Sequence, residues 1–407
     1  FSLNLPLNDA SKAVAKGAIQ FSNNELHLQS PDMLFSNLYG ELTFNNDKVS
    51  VNNIQANWRG MPMSFAVEGN SEAELYKTNI KLAGIWDKEL WQIELPESIQ
   101  KYVDGKLSWL GDLSLYFPKS GGMSYQLALN ADLDENTLNF PSPYLKSASQ
   151  KSMLFATVKG DEAQSTLEAN LNDNLSFYGE LSHQGAFFTR AHLVLGQEKM
   201  MLPVDGFHIS VMLDDADVAQ WQPFVGDILS AIPESKASED SSRPLLSKPE
   251  RIRGTARSVN VYDELFHEVS FNMFDKEHWW LLEINAKELR SQIKLYPNLK
   301  EQGLDINIDF LNLADKKPTE AFKELTVDAE DVEDVEDLES VNVDEIELPA
   351  KVINHDENQA FFANIPPMKV SCDSCKFGQL DFGKLSFEIE KESDKSLLLN
   401  NFVAKRN

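Results

Sequence analysis

Apolar and polar residues alternate along much of the chain with a period of two. Successive side chains of a β-strand point to opposite faces of a sheet, so this period predicts strands with one apolar and one polar face. The apolar positions of the clearest runs are Leu42 and Phe44; Leu113, Leu115 and Phe117; Phe207, Ile209, Val211 and Leu213; Leu304, Ile306, Ile308 and Phe310; and Leu385, Phe387 and Ile389. These residues are the candidates for an extended apolar surface.

Turn-forming residues separate the alternating runs at short intervals. Asn45-Asn46-Asp47 follows the run that ends at Phe44, and Ser120-Gly121-Gly122 follows the run through Phe117. Asn, Asp and Gly tolerate the positive φ angles that tight hairpin turns require. Hairpins in succession predict an antiparallel sheet with one solvated face. The predicted fold class is therefore mainly β, with a few short helices.

Two segments show helical spacing. Residues 214–231 carry apolar side chains at helical intervals, and Asp214 or Asp215 is the expected N-cap. Pro223 is expected to divide this segment into two short helices and to begin the second. A further short helix is predicted near residues 96–103.

The chain is predicted to consist of a β segment over residues 1–233, a linker over 234–250 and a second β segment over 251–407. The linker is rich in Ser, Pro and charged residues. Within the second segment, residues 327–348 are rich in Asp and Glu and contain no Lys or Arg, which predicts a solvated acidic loop. A calcium site is the alternative, but the loop lacks the Gly and the ligand spacing of an EF-hand.

Charge excludes some classes of protein. The 407 residues carry a formal net charge of −27, which argues against nucleic acid, because phosphates are neutralised by Lys and Arg. The same charge argues against adsorption to an anionic membrane surface.

No run reaches the roughly 18 apolar residues of a membrane-spanning helix. Because the chain starts at Phe1 without a signal peptide, we expect a piece of a longer protein whose targeting segment lies outside it.

Motifs for catalysis are absent from the sequence. Neither a Walker loop, nor G-x-G-x-x-G, G-x-S-x-G or H-E-x-x-H occurs, so no catalytic residue, metal or cofactor is predicted. Cys372 and Cys375 form the single C-x-x-C pattern. A redox pair normally opens a helix, and zinc would need two further ligands. Since the pair follows a strand-like run, we predict a local disulfide that closes a turn at a strand end.

Several segments resemble the repeat motif of the AsmA-like family. The strand Phe35-Ser-Asn-Leu-Tyr-Gly40-Glu-Leu-Thr-Phe44 is followed by a return strand and the turn Trp58-Arg-Gly60-Met-Pro62. Four other segments are similar to elements of the same family, namely Tyr102–Trp109, Leu213–Trp221, Trp280–Lys287 and Pro366–Leu385. The chain departs from the family pattern at Leu289-Arg290-Ser291, in place of a glycine turn, and in the acidic run 327–348.

The resemblance implies both a fold and a function. Members of the family are inner-membrane-anchored periplasmic proteins of Gram-negative bacteria. It therefore implies an elongated, highly curved antiparallel sheet that forms a repeating β-groove, whose apolar face carries phospholipid acyl chains between the inner and outer membranes. It also implies phospholipid as the partner, an anchor elsewhere in the full-length protein, a periplasmic location and no catalytic residues. We expect a monomer.

A second function stays open at this point. The chain could be a structural or interaction β-module of the cell envelope that binds protein or glycan on its surface. Two sheets packed face to face would bury the apolar rows in an ordinary core. The alternation of apolar and polar residues is the same in an open groove and in a closed core.

Overall fold

The computed structural model of the chain describes residues 1–9, 12–29, 32–197, 204–231, 244–261, 264–314, 365–393 and 396–405. The chain divides into two units, Phe1–Leu265 and Phe266–Asn407. Strands dominate both units and the helices are few and mostly short, which confirms the predicted mainly β fold class.

Unit 1 is built from strands that follow one another along the chain. They are β1 (Ser2–Asn4), β2 (Val14–Gln29), β3 (Asp32–Asn45), β4 (Lys48–Trp58), β5 (Met61–Ser71), β6 (Leu75–Trp86), β7 (Val103–Asp104), β8 (Leu107–Pro118), β9 (Ser124–Asp132), β10 (Thr137–Asn139), β11 (Leu145–Lys146), β12 (Met153–Asp161), β13 (Gln164–Leu171), β14 (Leu175–Ser182), β15 (Phe187–Leu195), β16 (Gly206–Asp217) and β17 (Arg251–Val261). The helices are α1 (Lys88–Trp91), α2 (Glu97–Gln100) and α3 (Val218–Ala231), with a 3-10 turn at Gln92–Glu94.

Hairpins join most neighbouring strands of unit 1, as the turn residues predict. Every ladder from β1 to β15 in the main sheet is antiparallel. Asn46, in the turn after β3, has φ 56°, and Gly121, in the turn after β8, has φ 97°. Strands β7, β10 and β11 form a separate three-stranded sheet.

Two of the described ladders of unit 1 are parallel, which the hairpin pattern does not predict. β16 pairs with β15 and with β17 in parallel. Two parallel neighbouring strands need a connection that carries the chain back from the end of the first strand to the level at which the second begins. The helix α3 begins that return between β16 and β17.

Aligned β-bulges bend the first strands of the sheet. The register shifts after Ser22 in β2, after Ser36 in β3 and after Val51 in β4. An extra residue in one strand kinks that strand and increases its twist. At this bend, Leu38, Val51, Ile54 and Ala56 form a fully buried cluster.

The helix α3 is continuous, and the predicted break at Pro223 is wrong. Pro223 lies inside the helix and not at its start. An internal proline costs a helix about 3 kcal/mol, so contacts with the rest of the unit must hold α3 together. The cap also differs from the prediction: β16 extends through Asp217, and Asp217 Oδ1 accepts a hydrogen bond of 2.9 Å from the Ala219 N–H.

The second predicted helix is shorter than residues 96–103. The structure has α2 at Glu97–Gln100, and Val103 already belongs to β7. The preceding helix α1 and the 3-10 turn beside it carry no marked periodicity over their few residues, and the sequence did not predict them.

Unit 2 has its own succession of strands. They are β18 (Glu264–Asp275), within which the unit boundary falls, β19 (Trp280–Asn285), β20 (Leu289–Leu295), β21 (Leu304–Leu313), β22 (Met368–Phe377), β23 (Leu380–Ser393) and β24 (Ser396–Lys405). One short helix, α4 (Leu299–Gln302), precedes β21. The β21–β22 ladder is parallel, and the other ladders between successive strands of this unit are antiparallel.

A bulge in β21 reverses the predicted orientation of Phe310. Ile308 pairs with Ser291, but Phe310 pairs with Arg290, so one extra residue lies between the two pairs. The Arg290 guanidinium lies 5.6 Å from the centre of the Phe310 ring, on the face opposite to Ile308. Leu311, which pairs with Leu289 and Cys375, continues the apolar row in its place.

The disulfide joins Cys372 and Cys375 within β22. The predicted pairing is confirmed, but its predicted place at a turn that ends a strand is wrong. The register between β22 and β23 shifts between the two cysteines, so the bond spans a bulge beside the one in β21. Both cysteines are buried, with 4% and 2% of their surface exposed. The bond therefore fixes the local geometry of the bulge.

The acidic run 327–348 lies outside the described residues. Of the predicted linker 234–250, the structure describes only residues from 244 onward. That part is irregular and lies against the sheet: the Phe188 N–H donates to the Leu245 carbonyl at 2.9 Å, and the Glu250 N–H donates to the Phe207 carbonyl at 2.8 Å.

The disulfide is expected to stabilise unit 2 by limiting the freedom of the unfolded chain. Replacing both Cys372 and Cys375 by Ala should lower the free energy of unfolding by about 2 kcal/mol, the value for so short a closed loop. Urea unfolding followed by circular dichroism measures the difference. Reductant should destabilise the parent and leave the double variant unchanged; equal stability of the two proteins would contradict the prediction.

Candidate functional site

The apolar positions of unit 1 are aligned by the pairing of its strands. Residues directly opposite in a ladder point to the same face of a sheet. Leu113 in β8 lies opposite Ile80 in β6 and Leu127 in β9, and Leu127 lies opposite Val158 in β12. A row of apolar side chains therefore crosses the strands at right angles to the chain direction.

This row is continuous from β2 to β16. Its members, each opposite the next, are Ile19, Leu42, Val51, Val67, Ile80, Leu113, Leu127, Val158, Leu167, Gly179, Ala191 and Phe207. We call the side of the sheet that carries this row the apolar face of unit 1. No polar residue interrupts the row.

The opposite side of the same strands is polar. Its matching row is Thr43, Ser50, Glu68, Asn79, Ser114, Gln126, Lys159, Thr166, Glu180 and Arg190. Within it, Ser114 donates a hydrogen bond of 3.0 Å to Asn79 Oδ1, across one ladder. The two faces of the sheet thus differ in polarity over the same strands.

The ladder registers place most of the sequence candidates on a shared face within their unit. In unit 1 these are Leu42, Phe44, Leu113, Leu115, Phe117, Phe207, Ile209, Val211 and Leu213. In unit 2 they are Leu304, Ile306, Ile308, Leu385, Phe387 and Ile389, which are linked through β22. Phe310 is the exception, because of the bulge in β21.

The apolar face of unit 1 is partly accessible. Ile80, Leu113, Leu127, Val158 and Leu167 are only half-buried, although their strands pair with neighbours on both sides. A second layer packed on this part of the face would bury side chains of this size fully. The accessible area is therefore apolar surface that the described part of the unit does not fill.

Aromatic residues from several strand connections pack against aromatic residues of α3, at the ends of the strands. Tyr102, Phe140, Tyr144, Trp221 and Phe224 form what we call the α3 cluster. The ring centres of Tyr102 and Phe224 are 4.9 Å apart, and those of Phe140 and Phe224 are 5.3 Å apart. Burial raises the pKa of Tyr144 to about 12. These contacts supply the packing that holds α3 despite its internal proline.

Polar contacts fasten α3 to the connection between β6 and β8. Asp227 Oδ2 lies 2.6 Å from Lys101 Nζ and accepts a hydrogen bond of 2.6 Å from Tyr102 Oη. Ser98 Oγ donates to the Asp227 carbonyl at 2.9 Å. The hydrogen bond from Lys101, with that from Tyr102, holds the pKa of the Asp227 carboxyl below its ordinary value.

A series of hydrogen-bonded polar side chains lies where strands β9 and β13 begin, at the ends of these strands opposite to the α3 cluster. Tyr125 Oη is 2.5 Å from Ser165 Oγ, and Ser165 Oγ is 2.6 Å from His183 Nε2. His183 Nδ1 lies 3.0 Å from the Glu162 carbonyl, so Nδ1 carries the proton and donates it. Ser165 is buried, and among the described residues no carboxylate shares a hydrogen bond with His183, so the series satisfies polar groups at the margin of the apolar face. Sequence reasoning missed this set because its members lie far apart in the sequence.

The described residues contain no group of three or more His, Cys, Asp or Glu side chains that could hold a metal ion. Among the described helices, none has the length and apolar character needed to cross a membrane.

The fold and the site together define a class of protein. It is a β-sheet protein with one apolar face that is continuous across the strands and partly accessible to solvent. Comparison with known families identifies the particular one: the chain belongs to the YhdP protein family, whose pattern matches residues 1–407. The family recognised from the repeat motifs is thereby confirmed.

One curated relative is the intermembrane phospholipid transporter YhdP of Escherichia coli (strain K12). It is 28% identical to this chain over 159 residues, which are 39% of the chain and 12% of the relative. The chain thus matches only a small part of that protein's length. No solved structure matches the chain.

The docking of α3 is expected to depend on pH through Asp227. The pKa of this carboxyl is depressed in the folded state, so its stabilising contribution is present above the ordinary Asp value and is lost as pH falls through the folded pKa. Amide hydrogen exchange in α3, compared with the intrinsic rate at each pH, should show opening that increases as the pH falls below 3.8, the ordinary Asp value. In Asp227→Asn, α3 should be open to a similar degree across that range, and a parent-like pH dependence in this variant would contradict the assignment.

Proposed function

We propose that this chain is a segment of a periplasmic phospholipid-transport protein and that its apolar faces carry phospholipid acyl chains. The observation that carries the proposal is the row from Ile19 to Phe207, which stays apolar across every ladder from β2 to β16 and is half-buried in its middle. Membership of the YhdP protein family, and the printed function of the Escherichia coli relative, support phospholipid as the cargo.

The dimensions of the strands suit this cargo. β8 has 12 residues, which correspond to about 40 Å of extended chain. An acyl chain in one leaflet extends over about 15 Å, half of the hydrocarbon core of a bilayer. A bent sheet with strands of this length is therefore large enough to shield an acyl chain from water.

The polar face fits a protein surrounded by water. A row that contains Glu68, Asn79, Gln126 and Lys159 is well hydrated, so a single sheet can stay in solution while its other side holds lipid. In the full-length protein, we infer an anchor in the inner membrane, a path toward the outer membrane and a monomeric state. Transport without chemical conversion of the lipid is part of the same proposal.

A structural envelope module without lipid conduction is the alternative. It requires the apolar rows to be filled by other protein side chains. The half-buried state of Leu113 and Leu127 favours the lipid-carrying function, because a filled core would exclude water from both residues.

Site-specific photo-cross-linking tests the proposed function. Benzoylphenylalanine at Leu113 in the full-length protein should form cross-links to phospholipid that mass spectrometry detects. The same probe at Ser114, the next residue on the same strand, faces the polar side and should form few such cross-links. Equal yields at the two positions, or none at Leu113, would overturn the proposal.

A charged side chain on the apolar face should block lipid occupancy. Leu113→Asp places an unpaired carboxylate among acyl chains, and such a burial is strongly unfavourable. We expect at least a tenfold loss of co-purifying phospholipid, which corresponds to about 1.4 kcal/mol. Ser114→Asp adds the same charge to the polar face and should leave the lipid content unchanged, whereas an equal loss in both variants would contradict a face-specific effect.

A further inference from the structure

Glycines on the apolar face of unit 1 recur beside aromatic rings. Gly17 lies directly opposite Phe44, and Gly84 lies directly opposite Trp109. In each case the ring of the neighbouring strand extends over the glycine. In the described part of the chain, the pairs in which the aromatic side chain supplies the nearest atom are Gly17 with Phe44, Gly69 with Tyr76, Gly84 with Trp109, and Gly179 with Phe188.

The backbone does not require glycine at these positions. Turn glycines such as Gly60 and Gly121 have positive φ, and a Cβ added to them would meet nothing within 4 Å. The glycines beside the rings lack positive φ, so any residue could adopt their extended conformation. What restricts them is space: a Cβ added to Gly17 would lie 2.6 Å from the Phe44 ring, and one added to Gly69 would lie 2.5 Å from Tyr76 Oη.

Trp109 shows how closely the rings lie against the sheet. Its indole supplies the three atoms nearest to a Cβ built at Gly84, and that Cβ would overlap Nε1. The same Nε1–H is buried and has no hydrogen-bond partner in the described part of the chain, although an unpaired buried donor is costly. The indole edge meets the Trp86 ring, with centres 5.1 Å apart. Packing against Gly84 and Trp86 therefore determines the position of the indole.

We propose that these glycines determine how much room the apolar face leaves for acyl chains. Each glycine lets the neighbouring ring lie along the sheet, and a methyl group in its place would lift the ring off the sheet. A ring that lies flat adds only about 3.5–4 Å, one carbon–carbon contact distance, to the thickness of the sheet. A raised ring projects further into the space that lipid would occupy. The inference rests on the proposed function and names the residues that set the clearance at the same site.

The test combines glycine substitution with a lipid probe nearby. Benzoylphenylalanine at Leu129, which lies opposite Gly111 and two residues from the partner of Trp109, reports phospholipid close to the Gly84 pair. In the full-length protein, Gly84→Ala should lower the yield of cross-linked phospholipid at Leu129 about fourfold, the factor for one methylene group removed from an apolar environment. Gly226→Ala, at a helical glycine with nothing within 4 Å, should leave the yield unchanged.

A compensating substitution separates clearance from general damage. Gly84→Ala combined with Trp109→Leu removes the ring that the new methyl group displaces, and should restore the cross-linking yield. If Gly84→Ala does not fold, Gly17→Ala with the probe at Leu42 tests the second directly opposed pair. An unchanged yield in a folded glycine variant would overturn the inference. Failure of the unsubstituted protein to cross-link phospholipid at Leu113 would instead overturn the proposed function.

Discussion

The register between neighbouring strands is the constraint on which this structure depends. A shift of one residue in a ladder moves every side chain of the shifted strand to the other face. The row from Ile19 to Phe207 crosses successive ladders without such an error, so the apolar face extends far beyond any single hairpin. Each hairpin turn fixes one ladder, and the polar row on the other side penalises a slip. Local turn chemistry thus produces a long-range surface.

The β-bulges are the places where this register shifts. Where β2, β3 and β4 shift together, the sheet bends and Leu38 and Ile54 become fully buried. Where β21 and β22 shift together, Phe310 changes face and the disulfide crosses the irregular segment. Aligned extra residues therefore change the direction of several strands while keeping the apolar face continuous. A covalent bond at such a place resists straightening of the strand.

Period-two alternation is enough to predict the clearest strands and most of the candidate face, because it reflects burial on one side only. It fails at Phe310, since a bulge depends on neighbouring strands and leaves the local pattern intact. Pro223 misleads for a similar reason: the energy that keeps α3 continuous comes from Tyr102, Phe140 and Tyr144, which lie far away in sequence. The pairing of glycines with rings needs the register, which no single strand specifies.

The contacts of α3 have a mechanical consequence. Six ladders separate β8 from β16. A force perpendicular to the strands, in the plane of the sheet, would act on these ladders in series. The weakest ladder would then open first. The helix starts at the end of β16, and Asp227 is bound to the connection that leads into β8. The same force can therefore pass through α3 in parallel with the sheet. In a protein under tension, α3 would therefore limit how far the strands between β8 and β16 can be pulled apart.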